Sequence, residues 1–502
     1  MPVDSLPDLR HSPTPGEPAT PLPQHPDPRR WLALAVIAVA QLMIVLDVSI
    51  VNIALPDAGA DLGISAANIQ WVVTAYTLTF GGLLLLGGRI SDIIGRKRAF
   101  LIGLLGFAVA SGLGGIAPNQ ELLFGARALQ GAFAALLAPA ALSLLALAFS
   151  DPKERARAFG VFGAVSGGGA AIGLILGGTL TEFASWRWTL LVNVPIAVAT
   201  ALAAVVLVRE SRAEGDRHFD VPGVLLSTAG LASLVYGFSK AAEAGVGWSD
   251  PLTLTLLGAA AVLLVGFVLR ERRAAHPLLP LHIVLERNRG GSYAVFLLVG
   301  AGLFSMFLFL TFYFQETLGY TPLESGFAFL PFSGGIIIGA GLVSQVLPRV
   351  GPRPLIVGGL ALAVAGMLWL TQIGVTSSFV TSVLPAELAM SFGMAMVFVS
   401  ASSTALLGVD EHDAGVASAT LTTAQQIGGS LGLALLNTFF ASAVADRMAA
   451  DPTGGVDAAM VHGYRVAFVW AAVFLGLALL IGATLISARK SDLPAPELAL
   501  AV

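Results

Sequence analysis

Fourteen stretches of this chain are long and apolar enough to cross a bilayer as helices, and that repetition leaves few folds open. A spanning helix needs roughly 20 mostly apolar residues. Such runs begin near Trp31, Ile69, Ala99, Glu121, Ala158, Trp188, Val221, Leu252, Tyr293, Gly326, Leu355, Phe379, Gly415 and Val466. Of 502 residues, 56% are hydrophobic and only 12% are charged, about half the charged share of a soluble domain. A water-soluble globule could not hide that apolar surface, so the sequence predicts an all-α polytopic membrane protein. The thirteenth run is the least apolar. Its first half, Ser418 to Ser430, is rich in Thr, Gln and Gly and is expected to face other helices rather than lipid.

The sparse charges set the topology. Basic residues concentrate in cytoplasmic loops. Placing both termini in the cytoplasm puts 22 of the 27 Lys and Arg there, leaving Arg127, Arg187, Lys240, Arg447 and Arg465 elsewhere. A missed or extra helix would scramble this alternation. Residues 1–30 hold nine prolines and no apolar run, which predicts a disordered cytoplasmic tail rather than a cleaved signal peptide. Charged breaks at Arg209–Asp220 and Arg270–Gly291 divide the rest. The expected units are a six-helix bundle over 31–208, a two-helix insert over 209–290, a second six-helix bundle over 291–488 and a cytoplasmic tail over 489–502. An internal echo supports two related halves: Gly88–Lys97 joins the second and third runs, and Val350-Gly351-Pro352-Arg353 joins the second and third of the last six.

Enzyme chemistry finds little support. No Gly-Lys dipeptide occurs, so a Walker A loop is absent. With no cysteine, there is no thiol nucleophile and no Cys-based metal centre. The seven histidines are expected in the tail or in loops, which disfavours an intramembrane metal site. Gly167-Gly168-Gly169 lies in an apolar run with no preceding strand and does not read as a nucleotide loop. No cofactor is implied, and a net charge of −4 gives no reason to expect nucleic acid. The expected partners are a small-molecule substrate, protons and the lipid bilayer, and the chain is expected to act as a monomer.

Gly88 to Lys97 is the most specific short feature. Gly88, Asp92, Gly95, Arg96 and Lys97 make a glycine-bearing turn beside a basic cluster. Asp92 is suited to accept hydrogen bonds from a neighbouring helix N-terminus or an arginine and so clamp the cytoplasmic face. A purely topogenic basic loop would carry the same charges. The pattern resembles the loop motif of the major facilitator superfamily. Other segments resemble its fourteen-helix drug:proton antiporter family: Leu46 to Pro56 its first-helix motif, Arg127 to Gly131 its fourth-helix motif, and Trp186-Arg187-Trp188 with Asn193-Val194-Pro195 the entry to its sixth helix. Gly160, Gly169, Gly173, Gly177 and Gly178 match the spacing of its fifth-helix antiporter motif, with Leu174 where the family has proline. The resemblance implies two six-helix bundles around a central cavity, two extra helices at the side, alternating access by rocking, and proton-coupled export of small organic compounds at the cytoplasmic membrane.

Asp47 lies among apolar residues in mid-run, where a carboxylate costs roughly 2.5–3.5 kcal/mol on insertion scales, so a functional role is the default. It is a candidate proton carrier or a structural acceptor. By resemblance Arg127 takes part in proton coupling; the alternative is a fixed ion-pair partner. Asn52, Trp71, Tyr76, Gln130, Glu387, Gln425 and Gln426 are the remaining candidates for the substrate cavity. Trp71 also suits an interfacial anchor, Glu387 a second proton site or a place near the outer interface, and the two glutamines interhelical hydrogen bonds. Lys240 and Glu243 are expected to pair locally. A nutrient uniporter on the same fold and a non-transporting sensor are the rival readings.

Overall fold

In this computed structural model the chain is described over residues 29–492, except 150, 212–219, 242, 244, 245, 275, 276, 278, 280, 410–412 and 452–454. The expected proline-rich tail, apart from Arg29 and Arg30, lies outside the described residues. So do Arg212, Arg217 and residues 493–502 of the expected C-terminal tail.

Fourteen helices are long and apolar enough to span a membrane. They are α1 (Arg30–Leu62), α2 (Trp71–Ile94), α3 (Arg96–Gly115), α4 (Gln120–Ala148), α5 (Lys153–Phe183), α6 (Trp188–Leu207), α7 (Val221–Ala241), α8 (Pro251–Glu271), α9 (Arg287–Thr317), α10 (Pro322–Val350), α11 (Pro352–Leu370), α12 (Leu384–Leu406), α13 (Ala414–Ala450) and α14 (Val456–Thr484). Several start earlier than apolarity alone suggests, because capping chemistry sets the boundary. Asp151 accepts from the amides of Lys153 and Glu154 and starts α5 ahead of Ala158. Glu286 does the same for α9, ahead of Tyr293. A Thr321–Glu324 capping box starts α10 four residues before Gly326. The last helix begins at Val456 rather than Val466, so His462 is helical and exposed, not in a loop. The twelfth span begins at Leu384, after a separate turn at Phe379–Ser382.

The first and last six helices pair alike. In the first bundle α2 packs on α4, α3 on α4, α1 on α5 and α3 on α6; in the second the same pairings recur as α10–α12, α11–α12, α9–α13 and α11–α14. The turns Gly95 and Gly351 recur too, with φ of 106° and 87°, a region that glycine enters without Cβ strain. Glycines also set the close helix approaches: a Cβ at Gly87 or Gly131 would collide with the facing backbone in the α2–α4 contact, and one at Gly428 or Gly432 in the α9–α13 contact.

Helices α7 and α8 pack on each other, and α7 lies across the seam between α2 of one bundle and α13 of the other. Leu78, Leu231, Val235 and Ala434 form a single apolar cluster there. Ser239 accepts from Trp71 Nε1 at 2.7 Å, and Thr438 donates to the Phe238 carbonyl at 2.9 Å. The insert therefore touches both bundles.

Candidate functional site

Asp47 and Arg127 meet inside the first bundle. Arg127 Nη1 donates to Asp47 Oδ2 at 2.5 Å, and both side chains are sealed, at 1% and 0% exposure. Asp47 Oδ1 accepts from Gln130 Nε2 and from Asn193 Nδ2, each at 2.9 Å. Ser111 Oγ accepts from both amides and donates to the Leu190 carbonyl. Arg127 also donates to the Val72 carbonyl and to Gln130 Oε1 at 2.9 Å, and its guanidinium lies 4.5 Å from the centre of the Tyr76 ring. Five helices, α1, α2, α3, α4 and α6, thus converge on one charge pair. Helical periodicity explains the placement: Arg127 and Gln130 are three apart and share a face of α4. The carboxylate has three N–H donors, an arrangement suited to its charged form.

The structure unites Asp47, Arg127, Gln130 and Tyr76. It adds Ser111 and Asn193, which sequence reasoning did not single out as site residues. Asn193 had a signal, an amide inside the quoted sixth-helix segment; Ser111 had none beyond being polar in an apolar run. Asn52 is buried nearby in α1, its Oδ1 without a partner among the described residues. Trp71 faces the insert. Its indole nitrogen is held by Ser239 and its ring meets Tyr236 of the insert. Glu387 lies in the first turn of α12, at the end away from the termini, and is fully buried; neither carboxylate oxygen has a partner among the described residues. Gln426 packs against Gly81 of α2, across the bundle seam, while Gln425 is half-buried. Lys240 and Glu243 pair at 2.8 Å.

At the end bearing the chain termini, Asp92 accepts from Arg96 Nε and Nη2 at 3.1 and 3.0 Å. The helix N-terminus in this cluster is anchored by a different acid. Glu210, just beyond α6, accepts from the Lys97 amide and lies against Gly95, while the Arg96 amide donates to the Ser211 carbonyl. Gly88 rests near Pro139 of α4.

The antiporter-motif glycines divide between two neighbours. Gly169, Gly173 and Gly177 face α1 at Val45, Ser49 and Ile50. Gly178 faces the start of α10 at Pro322 and Leu323, and the Leu174 carbonyl sits on Gly326. Gly160 faces open space. At the far end from the termini, the bundles are also joined by Leu323 N to Glu182, Gln315 Nε2 to the Ile53 carbonyl and Asn437 Nδ2 to the Ala66 carbonyl, at 3.2, 2.9 and 2.9 Å.

Comparison with known proteins agrees with this architecture. The family model described as Major Facilitator Superfamily matches residues 37–433. The puromycin resistance protein pur8 of Streptomyces alboniger is 50% identical over 472 residues, covering 93% of each chain. The cephamycin export protein CmcT of Amycolatopsis lactamdurans is 38% identical over 447 residues, covering 88% of this chain and 90% of the relative. Among solved structures, a bacterial homolog of the human lysosomal transporter Spinster, in an inward-facing unoccupied conformation, has a TM-score of 0.64 at 17% identity, covering 94% of this chain and 99% of that one. The match across most of the chain, together with the paired six-helix bundles, makes this protein a member of the major facilitator superfamily, a multi-pass transporter of the cell membrane.

Proposed function

We propose that this protein exports amphipathic, antibiotic-like organic molecules from the cell in exchange for protons. The cargo class rests on relatives named for antibiotic resistance and export. The orientation, with both termini in the cytoplasm, rests on the placement of 22 of 27 basic residues on that side. The observation that carries the coupling is the sealed Asp47–Arg127 pair, whose hold depends on the carboxylate staying charged.

A proton on Asp47 removes the ionic attraction and frees Arg127, which also holds the Val72 carbonyl of α2. Because Asp47 has no exposure here, the proton enters only when the first-bundle helices around the cluster part. Each proton moving inward supplies about 2.3 kcal/mol per 100 mV, plus the pH contribution. Asp92 and Arg96 belong to the cytoplasmic gate, and the α5–α10 contacts to the opposite one.

The test is puromycin transport into inverted vesicles with an imposed pH gradient. Uphill uptake that a protonophore abolishes supports the reading. Uptake indifferent to the gradient points to a uniporter and overturns it.

A further inference from the structure

The insert is tied to both bundles on a single turn of α7. That helix lies over the seam between α2 and α13, and its hydrogen bonds to them fall on neighbouring residues. Trp71 Nε1 of α2 donates to Ser239 Oγ at 2.7 Å, with Gln70 Nε2 at 3.4 Å from the same oxygen. Thr438 Oγ1 of α13 donates to the Phe238 carbonyl at 2.9 Å. Ser239 and Thr438 are sealed, at 1% and 0% exposure, so in this conformation neither hydroxyl is open to water. Rings continue the clasp. Trp71 meets Tyr236 on the first-bundle side, and Trp248, in the turn between α7 and α8, stands between Phe238 and Phe439 on the other.

All of this lies at the end away from the termini, where the seam itself is shut. Thr77 Oγ1 and Ser430 Oγ lie 2.7 Å apart, and Asn437 Nδ2 donates to the Ala66 carbonyl. Nearer the termini, α7 meets the bundles through Leu231 and Val235, which share an apolar cluster with Leu78 of α2 and Ala434 of α13. Apolar contact is non-directional and tolerates sliding, whereas a hydrogen bond weakens steeply once bent or stretched. Alternating access requires the far ends of α2 and α13 to part. Phe238 and Ser239 are consecutive residues of one helix and cannot follow both. One tie therefore breaks whenever that side opens, and the two are unequal. The Thr438 hydroxyl also lies 2.9 Å from the Ala434 carbonyl of its own helix, an acceptor it keeps after release. The Trp71 indole has a single N–H, and Ser239 accepts it.

We infer that the insert is a strap: it holds the side away from the termini shut, and when that side opens it travels with the first bundle and releases Thr438. Trp71, Ser239 and Thr438 are then positioning residues for the rocking of the bundles. The strap acts on that motion whatever the cargo and whatever drives it.

Two ties in series fail as one. Trp71→Phe keeps a ring but has no N–H, Ser239→Ala cuts the same tie from the other side, and Thr438→Val removes the second hydroxyl. Each is expected to raise the fraction open on the far side about two- to tenfold, the worth of one hydrogen bond. The double variant Trp71→Phe/Thr438→Val is expected to raise it no further than either alone. The chain has no cysteine, so a single Ser325→Cys, fully buried where the start of α10 packs on α5, reports that fraction through its rate of thiol labelling in purified protein. Thr438→Ser keeps the hydroxyl and is expected to label at the wild-type rate; fast labelling there assigns the effect to packing and overturns the strap. Unchanged rates in the three single variants overturn it too, as does a double variant that multiplies the effects of the singles, since the ties are then independent contacts. Direction of travel is read in the Thr438→Val background by spin-label distances from Leu252→Cys, at the start of α8, to Ile116→Cys after α3 and to Val456→Cys at the start of α14, all three exposed. The Leu252–Val456 pair is expected to gain a second, longer distance while Leu252–Ile116 keeps one. The reverse pattern, or a second distance in both pairs or in neither, overturns the assignment of the insert to the first bundle.

Discussion

Asp47→Asn tests whether the buried pair is a coupling device or only a brace. The carboxylate accepts from Arg127 on one oxygen and from Gln130 and Asn193 on the other. An amide has one oxygen. Turned one way its NH2 faces the guanidinium; turned the other way it faces two amide donors. Either orientation leaves Arg127 charged at 1% exposure without its counter-ion. Removing one partner of such a pair costs about 3–5 kcal/mol, most of it the uncompensated charge left behind. Removing both charges, in Asp47→Asn/Arg127→Gln, is expected to restore most of that stability, because no buried ion remains. Denaturant titration in detergent reads this cycle directly. Transport separates the roles: both variants are expected to lose proton-driven uphill puromycin export, and the double variant to retain downhill exchange. A double variant that still exports uphill with wild-type proton release would refute the coupling role and leave the pair as a brace. A single variant as stable as wild type would refute the energetic argument.

The turns, seams and orientation give further tests. Gly95→Ala places a Cβ against the Glu210 carboxylate at a φ of 106°; strain of about 1–3 kcal/mol is expected, with a lower thermal midpoint in detergent and reduced transport. Gly178→Ala meets the Pro322–Leu323 backbone, which cannot give way as a flexible side chain can, and is expected to shift the equilibrium away from the conformation seen here, whereas Gly160→Ala, in open space, should leave it unchanged; spin-label distances across α5–α10 read both. An impermeant thiol reagent added to intact cells should label Gly247→Cys but not Arg157→Cys, and the opposite pattern would invert the topology.

The helices were legible because lipid imposes length and apolarity on every span, so all fourteen can be found by hydropathy alone. Boundaries were less so. Capping at Asp151, Glu286 and Thr321 extends α5, α9 and α10 beyond their apolar runs, and apolarity cannot see a cap. Asp47 and Arg127 stood out because an ion inside an apolar run is expensive. That they touch was not legible, since contact depends on how α1 and α4 pack. Ser111 escaped notice for the opposite reason: a hydroxyl in a spanning helix can bond its own backbone, so its presence carries little information. Trp71 shows the limit of reading residue type, since an indole suits a cavity, an interface or, as here, a hydrogen bond to Ser239.

Leu174 shows what a departure from a motif means once the neighbours are known. A proline there would lack an N–H and strain the turn before it, bending α5. Here α5 runs as one helix from Lys153 to Phe183, and Leu174 is buried at 1%. Its carbonyl abuts Gly326, and the glycines on either side of it, Gly173 and Gly178, look to different neighbours. Gly169, Gly173 and Gly177 thus keep α1 on one face of α5, while Leu174 and Gly178 meet the start of α10. Towards the termini a Cβ at Gly160, Gly163 or Gly167 would meet nothing within 4 Å, which leaves α10 room to approach that half of α5.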